Sequence, residues 1–75
     1  MTITISDWRS GFEKVRFNHL LREHAGYGLG EAKRTVDCVL AHEAVTIELG
    51  DERSAEEFCR LATEIGAVCH LHTPA

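Results

Sequence analysis

The spacing of apolar residues switches between two and three-to-four along this chain, and each switch marks an element. Ile3 and Ile5 alternate with Thr2, Thr4 and Ser6, which predicts a half-buried strand over residues 2–8. Thr4, Ser6 and Trp8 fall on its other face. Arg9-Ser10-Gly11 reads as a loop. From Phe12 to His24 the period lengthens. Phe17, Leu20, Leu21 and His24 stand at i, i+3, i+4 and i+7, the core stripe of a helix. Lys14, Val15, Asn18, His19 and Arg22 project away from that stripe, and Val15 is an apolar residue on the wrong side for the core.

Gly26, Gly28 and Gly30 interrupt the pattern at alternate positions in Gly-Tyr-Gly-Leu-Gly-Glu-Ala-Lys. Glycine adopts positive φ without a Cβ clash, so this run suits a tight corner between two helices. A second helical stripe follows in Leu29, Ala32, Val36, Val39 and Leu40, with Arg34, Cys38 and His42 on its reverse. Val45, Ile47 and Leu49 then alternate with Thr46 and Glu48 as a second strand, which Gly50-Asp51 closes as a turn. Ser54 and Glu57 have the spacing of a capping box. Behind them, Phe58, Leu61, Ala62 and Ile65 form the inner face of a third helix that Gly66 ends. Ala67, Cys69 and Leu71 alternate with Val68, His70 and His72 in a last strand, and Thr73-Pro74-Ala75 is a tail.

The order strand, helix, helix, strand, helix, strand predicts one α+β domain over residues 1–75. Each element has one apolar face, so a two-layer sandwich with three helices on one face of a three-stranded sheet buries them all. Seventy-five residues with 44% hydrophobic and 27% charged positions suffice for one compact core and do not look disordered. No apolar run approaches the roughly 20 residues that cross a bilayer. Met1-Thr2-Ile3-Thr4-Ile5 lacks the basic start and long apolar core of a secretory signal, so a cytoplasmic location is expected. Three cysteines without paired spacing fit reduced thiols better than a disulfide scaffold.

The net charge of −4 conceals a division. Residues 1–34 hold six of the eight basic residues against four acids, net +2, while residues 35–75 hold two against eight, net −6. An acidic whole argues against general nucleic-acid binding; a basic patch on the first half still suits an acidic protein or an RNA backbone. Other chemistry is thinner. Cys38 and His42 lie four apart on one predicted helix, and His70 and His72 share a strand face, but a structural zinc site needs four converging ligands. Nothing marks a thiolate as activated for Cys–His catalysis, so no enzyme activity, metal or cofactor is expected. Trp8, Val68, His70, His72, Thr46 and Glu48 are assigned to the open sheet face, where a tryptophan offers a possible homodimer contact.

The element order and the corner, Ala25-Gly26-Tyr27-Gly28-Leu29-Gly30-Glu31-Ala32-Lys33, resemble the C-terminal domain of the bacterial ribosomal stalk protein, large-subunit protein seven/twelve, of the ClpS-like fold superfamily. That family typically reads Thr-Gly-Leu-Gly-Leu-Lys-Glu-Ala-Lys at the corner. Gly11 before the first helix and Gly66-Ala67 before the last strand also match, and the likeness spans essentially the whole chain. The resemblance implies a non-enzymatic protein-docking module that recruits translational GTPases through the outer side of the first helix and the start of the second. Here that face maps to Lys14, Val15, Asn18, His19, Arg22 and Lys33, largely the set that periodicity leaves off the core. The family usually has isoleucine at Asn18, lysine at His19 and lysine at Gly30, so the resemblance implies a changed partner. Two alternatives accompany it. One is a ClpS-like adaptor for a protease or chaperone, although such adaptors use an Asn-Asp motif that this chain lacks. The other is metal or redox sensing through Cys38, His42 and the C-terminal histidines.

Overall fold

A computed structural model describes residues 1–72; the predicted tail, Thr73-Pro74-Ala75, lies outside the described residues. The elements are β1 (Thr2–Trp8), α1 (Lys14–His24), α2 (Leu29–Leu40), β2 (Val45–Glu48), α3 (Glu52–Glu64) and β3 (Ala67–His72), in the expected order. The sheet runs β2-β1-β3, and the central strand is antiparallel to both neighbours. This is a small α+β fold with the helices on one side of the sheet.

The helices divide the work unequally. The backbones of α2 and α3 lie on the sheet apart from each other, and the α1 backbone runs closer to those two helices than to any strand. Phe17 and Leu21 fill the space beneath α1 and are fully buried with Ile3, Ile5, Val39, Ile47 and Phe58. The Phe17 and Phe58 rings meet edge to face at 6.1 Å. Burying one such side chain contributes about 1.5–3 kcal/mol, a large share of a small domain's stability. His24, expected on the core stripe, is half-buried and meets the Phe58 ring edge-on at 6.2 Å.

Four local expectations change. The α1 helix begins at Lys14 rather than Phe12. Phe12 instead precedes the Glu13 cap and packs on Phe17 at 5.5 Å, which is the N′-to-N4 hydrophobic staple. The α3 cap is Asp51 rather than Ser54: the Ser54 backbone N–H donates to the Asp51 carboxylate at 2.7 Å, and the helix starts at Glu52. Starting there keeps Ala55 and Phe58 on the buried face. Of the corner glycines only Gly26 needs positive φ, at 71°. It follows the α1 cap, while the Ala25 and Tyr27 N–H groups converge on the Leu21 carbonyl. Gly28 caps α2 in extended geometry and Gly30 lies within that helix.

The fourth change concerns Trp8. Pairing passes from Ile5 opposite Cys69 to Asp7 opposite Val68, so β1 carries one extra residue at Ser6. Such a bulge flips the side-chain alternation that follows it. Trp8 therefore leaves the open face and packs against the core. Its indole N–H donates to the Leu40 carbonyl at 3.4 Å, and the ring stacks on His42 at 5.4 Å. Apart from Val68, what remains on the open face is polar: Thr2 donates to Glu48 at 2.6 Å, and Thr4 Oγ1 lies 2.7 Å from His72 Nε2. The proposed homodimer contact loses its tryptophan.

Gly66 ties the chain's two turns together. At φ 101° it accepts from the Arg9 N–H at 2.7 Å, and a Cβ there would stand 2.9 Å from the Phe12 Cα. We expect Gly66→Ala to cost roughly 2 kcal/mol or more, from left-handed strain plus that backbone clash. An unchanged denaturant midpoint would contradict this.

Asp51 supports a second test. The Ser54 amide holds its carboxyl below the usual aspartate value, so its stabilisation is present above the unfolded-state pKa near 3.9 and is lost as pH falls through the lower folded value. Asp51→Ala should lower the thermal midpoint at pH 7, whereas Asp51→Asn should keep most of the cap and flatten the loss of stability below about pH 4. Identical acid profiles for wild type and Asp51→Asn would reject the assignment.

Candidate functional site

Because α1 rides on two separated helices, it stands out as a ridge with a groove on either side. The groove towards α2, of about 430 Å³, is lined by Lys14, Val15, Asn18, His19 and Arg22 from α1 and by Leu29, Lys33, Val36, Asp37 and Leu40 from α2. All six residues assigned to a partner-binding face thus border one concavity. Lys14, Val15, His19 and Arg22 are exposed, and Asn18 is half-buried.

The α1 residues are presented by the spacing that buries Phe17 and Leu21 beneath the same helix. Val15 is 64% exposed and Leu29 65% exposed, the two large apolar side chains most open to solvent among the described residues. Leu29 is a correction, since periodicity assigns it to the core stripe. It is the first residue of α2; helical side chains lean back towards the N-terminus, and at the first position there is no preceding turn to cover. Ala32, Val36 and Val39 carry the buried stripe from the next turn on. The sequence signal for Leu29 was its place beside Gly28 at the helix start.

Electrostatics separates this groove from its neighbour. Among the described residues Lys14, Arg22 and Lys33 have no carboxylate within 4 Å, whereas Arg16 and Arg60 are paired with Glu13 and Glu64, each at 3.3 Å. Asp37 is the lone carboxylate among the lining residues, so the groove is net positive on a chain of charge −4. On the other flank of α1 a second groove, of about 310 Å³, is lined by Arg16, His19, Leu20, Leu61, Glu64 and Ile65. Its arginine and glutamate are the groups already paired. His19, on the crest, borders both.

The remaining candidates do not assemble. The α2 helix ends at Leu40, and His42 lies beyond it at φ 64°, which breaks the four-residue spacing expected of Cys38 and His42. The His42 ring is held instead by Trp8 and by Asp7, whose carboxylate lies 2.8 Å from Nδ1. That contact, with the Trp8 amide, draws the Asp7 carboxyl below its ordinary value. Burial pushes the Cys38 and Cys69 thiols up, and Cys59 pushes Cys69 further; a thiol held protonated is a poor nucleophile and a poor ligand. Among the described residues no three His, Cys, Asp or Glu side chains gather as a metal site, and no helix is long and apolar enough to cross a membrane.

No family model, curated protein or solved structure matches the chain. The functional reading therefore rests on the groove and on the resemblance at the glycine corner.

If Val15 and Leu29 serve binding rather than folding, their removal should leave stability alone. Val15→Ser and Leu29→Ser should each change the unfolding free energy by about 0.5 kcal/mol or less. Chemical denaturation measures this, and a loss several times larger would make the pair structural.

Proposed function

We propose that this chain is a non-enzymatic protein-docking module whose partner seats on the outer face of α1 and α2. One observation carries the reading: two exposed apolar side chains and three cations with no carboxylate within 4 Å among the described residues converge on a single groove. Apolar side chains buried at the centre of a contact contribute affinity, and the surrounding charge sets encounter rate and choice of partner. The resemblance to the ribosomal stalk C-terminal domain supports a translational GTPase or another ribosome-associated protein as partner, met in the cytoplasm. Asn18, His19 and Gly30 remove an apolar anchor and two positive charges relative to that family, which favours a partner of altered contacts over the family's own. The adaptor alternative draws no support from the groove, since a cationic rim repels the N-terminal ammonium such adaptors capture. The raised thiols and the separation of His42 from the helix that carries Cys38 likewise give no support to metal or redox sensing.

The test is affinity capture from native cytoplasm with wild type and with Lys14→Glu/Arg22→Glu. Both proteins should give the same circular dichroism, and the double variant should lose the partner that wild type retains. Equal recovery of the same partner by both would remove this face from consideration.

A further inference from the structure

We infer that the occupant of the α1/α2 groove is an acidic amphipathic helix of the partner protein, an inference that rests on the docking reading above. The walls of the groove decide the form of the ligand. Both are helices, whose interior backbone groups are already hydrogen-bonded, and no strand edge lines the groove. An extended peptide laid there would find nothing to pair its own N–H and C=O groups, whereas a helix arrives with them satisfied.

Charge and apolar surface decide its composition. Lys14 and Arg22 are eight residues apart on α1, which at 1.5 Å per residue is about 12 Å, or two helical turns. Carboxylates at i and i+7 or i+8 of a helix lying along α1 meet that spacing, and Lys33 faces them from α2. On the same walls, Val15 and Leu29 call for leucine-like side chains on the same face of the ligand. A single-stranded nucleic acid shares the negative charge but fits poorly. Among the described residues no Phe, Tyr or Trp lines the groove to stack a base, His19 being its one ring, and the chain as a whole is acidic.

Fluorescence anisotropy with the full chain tests this directly. The probes are a labelled helical peptide bearing Glu at i and i+7 with Leu between them on one face, the same peptide with Lys for Glu, and an oligouridine of matched charge. The Glu peptide should bind, more weakly as salt rises, and the other two should not. Lys14→Glu/Arg22→Glu should lose about tenfold or more in affinity for the Glu peptide and gain affinity for the Lys peptide. Val15→Ser/Leu29→Ser should weaken the Glu peptide while leaving its salt dependence unchanged. Equal binding of the two peptides, or oligouridine binding as tightly as the Glu peptide, overturns the inference. Should neither peptide bind while the charge-reversed variant still loses its cellular partner, the docking face stands and the acidic helix is wrong. Should that variant keep its partner while the peptides fail, both fall.

Discussion

Everything in this fold hangs on α1 bridging two helices that do not meet. The three-stranded sheet is wide enough to seat α2 and α3 apart, and Phe17 and Leu21 close the gap between them. That arrangement buries the apolar stripe of α1 while its backbone stays nearer to the two helices than to the sheet, and it leaves the rest of the helix circumference proud of the surface. The two grooves are a geometric consequence of a helix resting on two supports. A helix packed directly between its neighbours on the sheet would have shown one narrow outward strip and no concavity.

The start of α1 is fixed from a distance in sequence. Gly66, at the α3–β3 turn, lies under the Phe12 backbone and accepts from Arg9, while the Glu13 N–H donates to the neighbouring Ile65 carbonyl. The Phe12–Phe17 staple then sets the entry angle of the helix. Lys14 and Val15 are the first two residues after this anchorage, so the groove's outermost cation and its exposed valine stand on the most tightly specified end of α1. A site held on such an anchored element loses little entropy on binding.

The order of elements was legible in the sequence because each has a clean apolar period, and the outward set on α1 was legible for the same reason. Periodicity misplaced Trp8, since one unpaired residue at Ser6 inverts everything after it and a bulge leaves no mark in a polar stretch. It placed Leu29 in the core because a pattern assumes an endless helix, whereas the first turn has nothing beneath its side chains. The α3 cap slipped by three residues because Ser54 and Asp51 are both competent caps, and burial of Ala55 chose between them. Helix-end geometry was likewise invisible at His42, where the chain turns left-handed before the expected metal spacing is reached.

The charge division in the sequence takes on meaning once the helices are placed. The excess of basic residues in the first half is not spread over the surface: three of the six border the α1/α2 groove, and among the described residues none of those three has a carboxylate within 4 Å. Apart from Asp37, which lines the groove, the acids of the second half lie outside it and contribute a field that repels a generally anionic ligand. With a screening length of about 8 Å under physiological salt, acids farther than that from the groove count for little there, and the local cations dominate at contact. A ligand that carries its negative charge on one face and apolar side chains beside it gains from the groove and avoids most of the repulsion. A uniformly charged polymer of the same sign pays it along its whole length, so the division of charge selects for shape and patterning as well as for sign.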